Sequence, residues 1–162
     1  MTNCLICCDE SDTISAGMEL SEAITKLIKK KPVVIFLEGD LGAGKTTFTK
    51  GILKGLGCEE LVKSPTFNLV EIHELKELNV FHFDLYRINE EIELEEIGLD
   101  EYLQERKAVC IFEWPKIAEN LIPKPDFHIY ISYESPSINN DGEESKKSSA
   151  NIRPSAIPPL FS

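Results

Sequence analysis

At 162 residues the chain is long enough for one domain with a sizeable core, and 42% hydrophobic with 28% charged residues is an ordinary globular balance. A formal charge of −11 argues against holding nucleic acid on a broad basic face, leaving only a partner subunit or a small local patch for that purpose. No apolar run approaches the roughly 18 to 20 residues that span a bilayer, and the opening "MTNCLICCDESD" turns acidic without a positive leader region, so a cytoplasmic protein is expected.

Five cysteines are present. Cys4, Cys7 and Cys8 cluster at the start, but no second Cys/His pair stands at ribbon or finger spacing, so reduced, incidental thiols are expected there. Cys110 lies in an apolar run and reads as core. "ELSEAITKLIKKK" puts Leu20, Ile24, Leu27 and Ile28 on one helical face. The run "VVIFLEG" that follows suits a strand covered on both faces.

Then comes "GDLGAGKTTFTKG". Gly39-Asp40-Leu41-Gly42-Ala43-Gly44-Lys45-Thr46 matches G-x-x-x-x-G-K-[ST] without a gap. Glycines allow the tight turn that aims successive N–H groups at phosphate oxygens. The helix beginning near Lys45 points its positive end at the same anion. Lys45 would reach the β- and γ-phosphates, and the Thr46 hydroxyl could ligate Mg²⁺. A buried strand leads in, and a helix with Phe48, Ile52 and Leu56 at spacings of four leads out and stops near Gly57, which is the context the motif needs. No N-K-x-D occurs and no D-x-x-G follows the loop, so ATP is the better nucleotide.

"SPTF", Ser64 to Phe67, stands where switch loops occur in this architecture; Thr66 could sense metal or γ-phosphate, and a plain Ser-Pro turn is the other reading. "TFNLVEIHEL" and "NVFHFDLYRI" read as a hairpin, with Phe81, Phe83 and Leu85 on one face and His82, Asp84 and Tyr86 on the other. "EEIELEEIGLDEYLQERK" is an acidic helical segment interrupted at Gly98. "AVCIFEW" is a second continuous strand ending in Glu113 and Trp114, and "FHIYISY" alternates as a strand with one exposed face. Residues 134–162 turn rich in Ser, Pro and Asn, so the expectation is a folded domain over 1–133 and a polar, disordered tail.

A metal-bound triphosphate needs carboxylates from neighbouring strand ends. Asp84 and Glu113 are the candidates, Glu113 at the end of an apolar strand where a Walker-B acid belongs. Trp114 beside it reads either as a site wall or as a strand terminator.

"GDLGAGKTT", "VKSPTF", "HFDLYRI", "EEIGLDEYL" and "IFEWP" follow in an order and at gaps that resemble the bacterial TsaE (YjeE) family, from about Thr13 to Tyr133. The resemblance implies a small α/β P-loop ATPase, three-layered, with a mainly parallel central sheet, flanking helices and a β-hairpin. It implies ATP and Mg²⁺ as ligands, TsaB and TsaD as partners, and tRNA reached only through that complex. The family's product is threonylcarbamoyladenosine beside the anticodon of tRNAs reading codons that begin with A; its members hydrolyse ATP weakly and act as a switch, without performing the transfer. By motif, Gly39, Asp40, Leu41, Gly42, Ala43, Gly44, Lys45, Thr46 and Thr47 would hold the phosphates. Lys45, Asp84 and Glu113 would be catalytic, Thr46 and Glu113 would hold Mg²⁺, and Thr66 and Trp114 would form the switch. Thr13, just ahead of the first helix, matches a segment near the adenine. The chain departs from the family where "EIHEL" replaces an expected Tyr, and where no Gly-Arg pair follows the last strand; after Arg106 the next arginine is Arg153.

A small P-loop kinase of a nucleoside or metabolite is the alternative, but lid-type kinases use several arginines and only Arg87 and Arg106 precede the tail. A binding module without turnover is the third reading, should Glu113 be only structural.

Overall fold

The computed structural model describes residues 3–7, 9–59, 68–134 and 147–154. Seven strands form one sheet among them: β1 (Asn3–Cys7), β2 (Val33–Glu38), β3 (Val70–Glu74), β4 (Asn79–Asp84), β5 (Ala108–Glu113), β6 (Phe127–Glu134) and β7 (Lys147–Pro154). The spatial order is β1-β7-β6-β2-β5-β4-β3. The four central strands β6, β2, β5 and β4 are mutually parallel, while β3, β7 and β1 pair antiparallel with their neighbours. This is the α/β fold with a mainly parallel centre and a β3–β4 hairpin that the sequence predicts.

Alternation along the central strands sorts their side chains into two layers. Val33, Ile35 and Leu37 of β2 and Val109 and Ile111 of β5 face α1 (Glu10–Leu27) and α2 (Lys45–Gly55). Val34 and Phe36, with Cys110 and Phe112, face the opposite way and meet Leu94 of α3 (Ile92–Glu96) and Leu99 of α4 (Leu99–Gln104). The expected face of β4 holds, since Phe81, Phe83 and Leu85 pack in this second layer, and Phe83 stacks on Phe112 at 4.6 Å. Gly98, at φ 73, separates α3 from α4 where the acidic helix was expected to break. Burial pushes the Cys110 thiol up to about 12, as befits a core residue.

Two elements differ from expectation. Helix α1 begins at Glu10, capped by Asp9, whose carboxylate accepts from the Asp12 N–H at 2.9 Å, so Thr13 lies inside the helix and not ahead of it. The early turns lack a clear apolar stripe because they carry Gly17, where α2 comes close: a Cβ there would meet Phe48 O at 2.4 Å. The second difference lies in the stretch expected to be a disordered tail. Residues 147–154 of it form β7, which pairs with β6 from Phe127↔Pro154 to Glu134↔Lys147 and with β1 on its other side. Ladder hydrogen bonds are made by backbone, so a polar composition does not forbid a strand. Cys4 and Cys7 fall in β1. Among the described residues no helix is long and apolar enough to cross a membrane.

Candidate nucleotide site

The loop between β2 and α2 lies at the carboxyl end of the parallel strands, where α/β sheets place their ligands. Gly39 has φ 144, and a Cβ there would stand 2.1 Å from Ile131 O, so β6 closes against the start of the loop and only glycine fits. Gly44 caps α2 in the left-handed region at φ 106, with no side chain on the first N–H groups of the helix. Those groups are thus left for an anion.

An open cleft of about 490 Å³ lies over this turn, bordered by Gly42, Lys45, Thr46 and Thr47 on one side and by Asp84, Arg87, Glu113 and Trp114 on the other. Lys45 is only 5% exposed. Its Nζ donates to Gly39 O at 2.9 Å and Asp40 O at 2.8 Å and lies 4.1 Å from the centroid of the Trp114 ring. Burial pulls the Lys45 ammonium below its ordinary value, opposed by the charges of Glu113, Asp84 and Asp40.

Thr46 Oγ1 donates to Glu113 Oε1 at 3.1 Å. Residues 67 apart in the chain thereby meet because β2 and β5 are parallel neighbours that end together, Leu37 opposite Glu113. Asp84 ends the adjacent strand directly opposite Glu113. Its carboxylate accepts from the Tyr86 N–H at 3.1 Å. Burial raises the Asp84 carboxyl above its ordinary value; that N–H, His82 and Lys45 oppose the rise, and Glu113 adds to it. Trp114 takes a left-handed backbone, φ 58 and ψ 50, at the turn into the 3-10 helix Pro115–Ala118. Its ring packs 5.0 Å from Tyr86.

The oxygen donors present, one hydroxyl and nearby carboxylates, suit a hard cation such as Mg²⁺. Among the described residues no group of three or more His, Cys, Asp or Glu could hold a metal alone.

A family model, "Threonylcarbamoyl adenosine biosynthesis protein TsaE", matches residues 8–141. The chain belongs to the TsaE family. It is 38% identical over 125 residues to the tRNA threonylcarbamoyladenosine biosynthesis protein TsaE of Haemophilus influenzae, covering 77% of this chain and 78% of that one. It is 43% identical over 116 residues to the protein of that name from Bacillus subtilis, covering 70% and 72%. The crystal structure of Bacillus subtilis YdiB superposes with a TM-score of 0.64 at 27% identity, over 94% of this chain and 84% of that one. This TsaE-family chain is therefore a P-loop ATPase-type protein of threonylcarbamoyladenosine biosynthesis.

Of the residues singled out in the sequence, the cleft gathers Leu41, Gly42, Gly44, Lys45, Thr46, Thr47, Asp84, Glu113 and Trp114. Gly39 and Asp40 contribute through the carbonyls that hold Lys45, and Ala43 is buried beneath the loop. Thr13 does not line the cleft. It is buried in α1, its hydroxyl donating to Asp9 O at 3.1 Å, and its Cγ2 lies 3.8 Å from where a Gly44 Cβ would stand, so it backs the loop from behind. Thr66 lies outside the described residues. The structure adds Tyr86 and Arg87 to the cleft and His82 behind it. All three sit within "HFDLYR"; alternation around Asp84 points to His82 and Tyr86, while Arg87 lies off that face, beyond the end of β4.

Proposed function

We propose that the chain binds ATP with Mg²⁺ over Gly39–Thr47 and hydrolyses it weakly, as a partner-dependent switch supporting TsaB and TsaD. Together they form threonylcarbamoyladenosine beside the anticodon of tRNAs reading codons that begin with A. The observation that carries this reading is the meeting of Lys45, Thr46 and Glu113 in one cleft at the amino end of α2. In it, the loop N–H groups and Lys45 bind the phosphates, while Thr46 and Glu113 hold the cation. Mg²⁺, when bound, neutralises charge on the β- and γ-phosphates. Asp84, opposite Glu113, orients the attacking water and takes up its proton as an oxygen–phosphorus bond forms and the β–γ bridge breaks, giving ADP and phosphate. Thr66 and Trp114 report the state of the γ-phosphate to the partners.

A net charge of −11 supports access to tRNA through a complex and not through this chain's own surface. The protein acts in the cytoplasm, and β7 belongs to the same sheet that carries the nucleotide site.

The test is ATP hydrolysis by the isolated protein and again with TsaB and TsaD, with Lys45→Ala and Glu113→Ala as controls. Stimulation by the partners that both variants lose is expected. Unstimulated hydrolysis with no complex formed sinks the switch reading, and phosphate appearing on an added nucleoside would favour a kinase.

A further inference from the structure

His82 is fully buried in β4. Its Nε2 lies 2.8 Å from Glu113 Oε1, the same oxygen that accepts from Thr46 Oγ1. A carboxylate oxygen only accepts, so Nε2 carries the hydrogen of this contact. Nδ1 has no partner among the described residues. Val80, two residues earlier on the same face, shows that an apolar side chain suits this layer. An imidazole here gives up a buried polar atom, and its one hydrogen bond goes to the candidate metal-holding acid.

We infer that His82 is a positioning residue that fixes the Glu113 carboxylate for the cation. The last torsion of a glutamate is broad, so the carboxylate plane of Glu113 is not set by its own rotamer. Two donors converging on Oε1 set it, and among the described residues both protein hydrogen bonds at this carboxylate fall on that oxygen. Oε2 is the oxygen left for a ligand in the cleft that Glu113 borders. Partners that hold a metal-binding group in place commonly change metal affinity or activity by about 10- to 100-fold when removed. The inference rests on the proposed Mg²⁺–ATP site.

Trp114 is the sole tryptophan and borders the cleft, so its fluorescence can follow ATP binding as Mg²⁺ is titrated. In His82→Ala, the Mg²⁺ concentration giving half of the effect should rise about 10- to 100-fold, with Mg²⁺-free ATP affinity within about threefold of the parent. His82→Gln, whose amide nitrogen can reach the position of Nε2, should restore most of the loss, and the shorter His82→Asn should not. Thermal unfolding without nucleotide or Mg²⁺ gives the readout for folding alone. If His82→Ala does not fold, the Gln and Asn variants decide, since both keep a polar group in the layer. Equal Mg²⁺ dependence of Gln and Asn, or equal loss of ATP binding with and without Mg²⁺, overturns the inference. A parent protein that binds no ATP at any Mg²⁺ concentration overturns the proposed function instead.

Discussion

Lys45 Nζ lies 4.1 Å from the centroid of the Trp114 ring while donating to the carbonyl oxygens of Gly39 and Asp40. One ammonium thus ties the phosphate loop to the residue that follows Glu113. A phosphate arriving over the loop competes for the same Nζ, because a charged acceptor outbids a neutral carbonyl. Binding of ATP is therefore expected to shift or quench the emission of Trp114. Lys45→Met should lose that response and bind ATP at least about 10-fold more weakly, measured by fluorescence and by calorimetry on the same samples.

Gly51 decides how closely the two helices of one layer can approach. A Cβ at this position would stand 2.2 Å from Ile14 O and 3.0 Å from the Gly17 Cα, all fixed backbone. Gly51→Ala must push α1 from α2, and an overpacked contact of this kind costs about 1–3 kcal/mol. Thr13 on α1 backs Gly44, so the displacement should also weaken ATP binding. Urea unfolding and ATP titration of the variant check the two effects.

Asp84 is expected to set function against stability. Burial raises its carboxyl in the folded chain, so the folded state holds the proton more tightly than the unfolded one. Its contribution to stability consequently falls as pH rises from the ordinary aspartate value through the folded one, and the cost is fully present above that window. Asp84→Asn removes the charge and keeps an oxygen to accept from the Tyr86 N–H. The variant should equal or slightly exceed the parent in stability at pH 7, by about 0.5 kcal/mol or less because the side chain is half-exposed and screened. At pH 3 the advantage should vanish. ATP hydrolysis should drop about 100-fold. Unfolding curves at both pH values and a phosphate-release assay test the pair of outcomes.

The parts legible in the sequence were those written in local pattern. Continuous apolar runs mark β2 and β5, because strands covered on both faces need no alternation. The glycine spacing marks the turn before α2, and the end of the second apolar run places Glu113 at the tip of β5. What escaped depends on distant chain segments. The contact of His82 with Glu113 follows from the register of β4 on β5, which pairs Asp84 with Glu113 and Phe83 with Phe112 and leaves no local trace. The first turns of α1 were hidden because Gly17 and Thr13 serve contacts to α2 and the loop, at the expense of a helical stripe. β7 was hidden because its place between β6 and β1 is held by backbone pairing.

That pairing makes the end of the chain matter to the fold. Among the described residues β1 has β7 as its one sheet neighbour, so removal of residues 135–162 should free β1 and leave β6 as an open edge. A chain ending at Glu134 is expected to melt about 5 °C or more below the full chain and to aggregate more readily through the bare edge. Scanning calorimetry with light scattering checks both, and an unchanged melting temperature would return residues 134–162 to the status of a dispensable tail.

Glu113 separates an ATPase from a module that only binds. Buried to 3% exposure, it accepts from Thr46 and His82 through one oxygen. Glu113→Gln retains an oxygen that can accept those bonds, so the fold should change by about 1 kcal/mol or less. The lost charge removes the main attraction for Mg²⁺, and hydrolysis should fall about 100-fold or more. Mg²⁺-free ATP binding, carried by the loop N–H groups and Lys45, should stay within about threefold, which is less than 1 kcal/mol. Steady-state hydrolysis together with ATP titrations at zero and saturating Mg²⁺ measures all three quantities. Hydrolysis that persists in this variant would make Glu113 a structural strand-end acid and move the catalytic burden to Asp84.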